Sequence, residues 1–318
     1  MQNVGQNKNN KANNPLFSEI TPAKASGLCF SLSSLLPTIL LFLVLAVATA
    51  FGLKKGEYER ADWYVYVSYL LPQISFALIA VFYLRLTKTP VKIAAAEQKC
   101  KPKYFLIAFL LQVGLLSLSE LNGLFLNFLE KFGYQMPEMV LPNVDGFGFV
   151  GVFFVVAVLP AVFEEIMFRG VLLKGIRSGF SVWASVLVCG VVFALYHQNP
   201  AQTIYQFCCG AAFALVAIRS GSILPTMLSH FCNNAFILIL YKMEIGAIPT
   251  PVFLPLIIVS GVCLLGTLFY LIFMDKTKTQ EENGKTEKMA EIKRFFLFAS
   301  VGIFICVLSW ISALALGM

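Results

Sequence analysis

The most reactive side chains of this chain sit inside long apolar runs. Glu164, Glu165 and Arg169 lie in LPAVFEEIMFRGVLL, His197 closes FALYH, and His230 and Asn234 share LSHFCNN. Ionisable groups are costly at apolar positions that face lipid, so a run that keeps them marks a functional site. At helical spacing Glu165 and Arg169 (i, i+4) share one face and can form an ion pair, while Glu164 points about 100° away and is available for another task. His197 and His230 are the only 2 histidines in the 318 residues. His230 and Asn234 are again i, i+4, so both project from one face.

A carboxylate, two imidazoles, a carboxamide and an orienting ion pair are the parts that peptide-bond hydrolysis needs: a base for water, donors for the oxyanion and a proton for the leaving amine. In this assignment Glu164 is the general base and His197 helps to hold the water. His230 and Asn234 are oxyanion donors, and Glu165 and Arg169 orient the group. The same residues also allow a metal reading, since Glu164, His197 and His230 are a zinc set whose fourth position would be left to water. The cofactor expectation is therefore none or a single Zn2+. The absence of HExxH, which would put ligands and base on one helix, favours the metal-free form. Neither a GxGD nor a GxSG motif offers another intramembrane hydrolase chemistry.

The elements that hold these residues follow from composition. The chain is 58% hydrophobic and only 13% charged, with mean hydropathy +0.78, whereas soluble domains carry about 25% charge. Continuous apolar runs at 28–53, 63–84, 104–129, 147–174, 180–197, 202–218, 223–241, 252–274 and 295–316 predict an all-α, multi-pass transmembrane helical bundle of about 8–9 spans. The absence of alternation excludes a membrane β-barrel, and no room is left for a large soluble domain. Residues 1–27 read as a disordered cytoplasmic tail. Residues 28–146 read as N-terminal membrane helices, 147–241 as the core that carries the reactive groups, and 242–318 as C-terminal helices around a polar loop at 275–294.

The net charge of +7 invites a nucleic-acid partner, but the 24 Lys and Arg lie in short loops between spans. If every run crosses, 19 fall on the N-terminal side and 5 on the other. This bias places the N-terminus in the cytoplasm of a cell-membrane protein and leaves the C-terminus outside. Ala48-Thr49-Ala50 resembles a signal-peptidase site, but the long preceding tail and the near full-length run predict an uncleaved span. The cysteines lie mostly in or beside apolar runs with no CxxC pair, as small core residues do. Glu120, isolated in LSLSELNGLF, is expected to bond a neighbouring helix or to touch the substrate path.

The ordered set EExxxR (Glu164, Glu165, Arg169), FxxxH (Phe193, His197) and HxxxN (His230, Asn234), together with FRG at 168–170, resembles the CPBP family of intramembrane proteases. That family includes CAAX prenyl endopeptidases of the Rce1 type and Abi-type proteins. The resemblance covers about residues 150–241 and implies a catalytic helical core at 147–241, with the same six residues in the same roles. The family is described both as glutamate-dependent and as metal-dependent, so the resemblance leaves both chemistries open. It implies a membrane-anchored peptide or protein substrate within the bilayer, with a prenylated CAAX-type tail as one candidate. The competing readings are a non-catalytic membrane scaffold or immunity protein and a proton-coupled transporter; the transporter lacks the expected paired repeats. His197 falls near the far end of its run. Either that helix starts outside the bilayer or the link at 198–202 dips inward, which protein or water must then surround.

Overall fold

A computed structural model of the chain describes residues 20–54, 58, 61–90, 100–245, 249–277 and 285–318. Among these residues the secondary structure is helical, with no strand. The helices are α1 (Pro22–Ala50), α2 (Asp62–Thr87), α3 (Lys103–Leu115), α4 (Leu118–Glu130), α5 (Gly148–Gly179), α6 (Val182–Tyr196), α7 (Thr203–Ser220), α8 (Leu224–Lys242), α9 (Thr250–Met274) and α10 (Lys285–Gly317). Seven helical stretches are long and apolar enough to cross a membrane, with α3 and α4 counted as one. The other two expected runs, α6 and α8, are helices as well. At 15 residues, α6 spans only about 22 Å at 1.5 Å per residue, against a hydrocarbon core of about 30 Å. The apolar run of α8 is broken by His230, Asn233 and Asn234.

Local chemistry sets several ends. Thr21 caps α1 by accepting from the Lys24 amide at 3.3 Å, and Pro22 follows in the first turn, where its missing N–H costs nothing. Residues 22–27, expected as part of the tail, are thus the first turns of α1; residues 1–19 lie outside the described residues. Similarly, 285–294 of the expected polar loop belong to α10, and 278–284 lie outside the described residues. All eight cysteines are free thiols.

α3 and α4 continue as one stretch, and the loops between the membrane stretches meet in two layers. At one end Asp275 accepts from Tyr104 Oη at 2.7 Å and from the Thr277 hydroxyl at 2.7 Å, with Lys103 Nζ at 3.5 Å; Arg219 donates to the Asp275 and Thr277 carbonyls. At the other end Asp62 accepts from the Asn143 amide, Lys242 pairs with Asp145 at 3.1 Å, and the Gln135 amide donates to Gly317 O. The chain is therefore a multi-pass helical bundle whose loops alternate between two faces.

Between these layers small residues let backbones touch. A Cβ on Gly27 of α1 would lie 2.5 Å from Phe295 O of α10, and one on Gly302 would lie 2.8 Å from Ser31 Cα. Close approach of this kind replaces the hydrophobic drive that lipid removes. Where α6 crosses α7, a Cβ on Gly210 would meet Gly190 Cα at 2.9 Å.

Two predictions follow from this packing. Gly302→Ala should destabilise the bundle by about 1–3 kcal/mol through overpacking, read as a lower Tm in detergent. Gly261→Ala, whose added Cβ has nothing within 4 Å, should leave Tm unchanged. Burial alone would push the Asp275 carboxyl up, but hydrogen bonds from Tyr104 and Thr277 and the Lys103 charge hold it below the usual carboxylate range. The stability it contributes is then present above the unfolded-state value of about 3.9 and is lost as pH falls through the lower folded value. Asp275→Asn should flatten that acid limb of a Tm-against-pH curve.

Candidate active site

The site is built around α5, which is not a uniform α-helix. Leu159–Glu165 is α-helical, but π-helical turns flank it at Phe154–Val158 and Ile166–Leu172. Wide turns of this type reorient side chains and recur at functional sites. Pro160 adds a second effect, because it has no N–H to give to the carbonyl four residues back, and that carbonyl is Val156 O. Asn234 of α8 takes it, with Nδ2 donating to Val156 O at 3.0 Å.

Glu165 and Arg169 form a buried ion pair. Arg169 Nη1 donates to Glu165 Oε1 at 2.8 Å, with side-chain exposures of 1% and 0%. The same Oε1 meets His230 Nδ1 at 2.9 Å. Arg169 Nη2 reaches Gly210 O at 3.3 Å, an approach that the tight crossing of α6 and α7 permits. The guanidinium carbon stacks 4.5 Å from the Phe193 ring centre and 5.2 Å from that of Phe213, so cation–π attraction adds to its hydrogen bonds.

Glu164 faces the other way. Its Oε2 lies 3.9 Å from His230 Nε2 and has no hydrogen-bond partner among the described residues, while Oε1 accepts weakly from Gln73 Nε2 of α2 at 3.4 Å. Buried polar atoms are normally paired; in this cluster Glu164 Oε2 shares the lack of a partner with Glu165 Oε2, Arg169 Nε and Gln73 Oε1.

Asn234 is fixed from behind by a chain of amides. Asn233 Oδ1 accepts from both Gln112 Nε2 at 2.9 Å and Tyr205 Oη at 2.7 Å. With two donors on that oxygen, the Asn233 amide has one orientation, and its Nδ2 donates to Asn234 Oδ1 at 3.1 Å. This turns Asn234 Nδ2 toward α5, where one N–H bonds Val156 O and the second is left for a ligand. The sequence reading missed Gln73, Gln112, Asn233 and Tyr205. The signal was there for the two glutamines, since each is a lone amide inside an apolar run.

His197 stands apart from the other five. It caps α6, its Nδ1 meets Phe193 O at 2.8 Å, and its ring packs on Phe193 at 4.6 Å. A carbonyl only accepts, so Nδ1 carries the proton and Nε2 presents its lone pair. Glu164 and His230 are near enough for their charges to act on it. Gln198 follows at φ 51°, which ends the helix abruptly, and Asn199 caps the next turn by accepting from the Ala201 amide. Tyr196 Oη donates to Ser33 O and Gln198 Nε2 to Cys306 Sγ, contacts at the middle of α1 and in the apolar part of α10. The start of the link after His197 is thus packed against mid-length positions of both helices, while Ala201 clusters with Leu129, Tyr134 and Leu314 toward the end where Gln135 meets Gly317.

Among the described residues no three His, Cys, Asp or Glu side chains are grouped to hold a metal ion. The zinc set of Glu164, His197 and His230 therefore does not fit this geometry, and no step below passes through a metal. Glu120 is exposed on the first turn of α4 and is not part of the cluster.

Residues 146–236 match the family model described as Type II CAAX prenyl endopeptidase Rce1-like. The chain is a multi-pass membrane protein that carries an Rce1-like domain, and α5 to α8 of that domain hold all six reactive residues. No curated protein and no solved structure matches the chain.

Glu165→Gln should cost about 3–5 kcal/mol, because it leaves the Arg169 charge buried without its partner; thermal unfolding in detergent measures this. Tyr205→Phe removes one of the two donors on Asn233 Oδ1 and should lower Tm by only the equivalent of about 1 kcal/mol.

Proposed function

We propose that this protein is a metal-free intramembrane endopeptidase that cleaves membrane-anchored polypeptides, with Glu164 as its base. The observation that carries the reading is the open Glu164 Oε2, 3.9 Å from His230 Nε2, with His230 one helical turn along α8 from an Asn234 amide oriented by Val156 O and Asn233.

Hydrolysis on this frame runs in two proton transfers through Glu164. A water oxygen attacks the scissile carbonyl carbon as Glu164 takes one of its protons, and the Nε2 lone pair of His197 accepts the hydrogen bond that aims it. The C=O electron pair moves onto oxygen, where the second Asn234 N–H and His230 Nε2–H bond the oxyanion. In this step His230 carries both N–H groups, with Nδ1–H held by Glu165 Oε1 at 2.9 Å and Nε2–H on the oxyanion. Glu164 then gives its proton to the departing nitrogen, the C–N bond breaks, and a carboxylic acid and an amine are released. One water is consumed and the enzyme groups are restored. An ion pair, a base and oriented donors in one cluster favour this over a passive scaffold.

The Rce1-like match supports a CAAX-type tail as the substrate class, and the excess of Lys and Arg in one set of loops supports a cytoplasmic N-terminus. In a detergent-purified preparation, Glu164→Gln should lower kcat for a fluorogenic peptide by about 10²–10⁴-fold with little change in KM. Equal rates in both proteins would remove Glu164 as the base. For orientation, alkaline phosphatase fused after Met318 should be active and a fluorescent protein fused there dark; the opposite pattern would invert the topology.

A further inference from the structure

A second feature borders the site. A cavity of about 430 Å³ lies between α1, α2 and the end of α6, with Pro37 and Pro72 in its walls and His197 at its edge. The volume is within the range of ligand pockets, and the walls are mostly apolar.

The polar groups of this cleft share one property. Ser34 Oγ donates to Phe30 O, Thr38 Oγ1 to Ser34 O, Ser68 Oγ to Val65 O and Tyr196 Oη to Ser33 O, and His197 Nδ1 donates to Phe193 O. Gln198 Nε2 points to Cys306 Sγ. Apart from the second N–H of the Gln198 amide, the side-chain donors of these lining residues are thus turned to the protein, and the groups left over are mostly lone pairs. The prolines add to this surface. Pro37 cannot bond Ser33 O, which Tyr196 takes, and Pro72 has no N–H to give to Ser68 O on the cleft wall. An occupant that brings donors therefore fits this lining best. No Asp or Glu lines the cleft, so an ammonium group has no counter-ion there. A helix uses its own N–H groups internally, and an acyl chain has none. A peptide in extended form offers N–H groups along its backbone and apolar side chains to either side.

We propose that this cleft binds the substrate as an unwound, extended apolar peptide, its backbone N–H groups taken by Ser68 O and the cleft hydroxyls, which delivers the strand past His197 to Glu164. This rests on the endopeptidase reading above and adds to it the conformation and recognition chemistry of the substrate.

The test is binding of a fluorescently labelled apolar octapeptide to the full-length protein in lipid nanodiscs, followed by anisotropy. A second peptide carries N-methyl groups on alternate backbone amides, which removes donors without removing side chains. N-methylation should weaken binding by about 10-fold or more. Leu71→Trp on α2 and Thr38→Phe on α1, which fill the cleft from opposite walls, should weaken the parent peptide to a similar degree. Equal affinity for the two peptides, unchanged affinity in both filled variants, or no saturable binding by the wild type would each overturn the proposal; the methylation arm needs no variant to fold. Glu164→Gln should bind the parent peptide as wild type does. If that variant also cleaved it at the wild-type rate, the catalytic assignment would fail while the cleft stood.

Discussion

The structure depends on placing one full charge pair in the apolar middle of a helical bundle and making it useful. Glu165 and Arg169 are almost wholly removed from solvent, and such a pair costs more in desolvation than Coulomb attraction returns unless every remaining valence is met. The surrounding architecture meets most of them, although Glu165 Oε2 and Arg169 Nε have no hydrogen-bond partner among the described residues. Gly190 and Gly210 let α6 and α7 approach until a backbone carbonyl reaches Arg169, two phenylalanine faces cover its guanidinium, and His230 shares the carboxylate oxygen. Because that oxygen also fixes the His230 ring, the cost of burying the pair and the positioning of an imidazole are one interaction.

Proline supplies a second recurring device. Within a membrane every backbone group needs a partner, so a proline in a helix creates an acceptor that some side chain must take. Pro160 does this for Asn234 through Val156 O, and Pro37 does it for Tyr196 through Ser33 O. In both cases a carbonyl freed by proline sets the direction of a polar side chain on another helix.

Some of the site could be read in the chain alone. The i, i+4 spacing placed Glu165 with Arg169 and His230 with Asn234, since helical periodicity is a local property. The same reasoning turned Glu164 to a different face. The register of nine apolar runs followed from composition, as did the alternation of loops now seen in two layers. The zinc set was equally permitted by residue type, because residue type does not report whether three such side chains, carried on different helices, are grouped. The shortness of α6 and the course of the link after His197 were open because the limits of an apolar run do not report where a helix stops.

Residue type and spacing by themselves determined the helices and the faces on which the polar groups stand, because each depends on side chains within one or two turns. The tertiary structure alone decided which nitrogen of each histidine is tied back, which way the Asn234 amide turns, that Gln73, Gln112 and Tyr205 belong to the site, and that a cleft lined with lone pairs lies beside it. These are contacts between residues tens to more than a hundred positions apart, fixed by how the helices cross, and no local pattern carries that information.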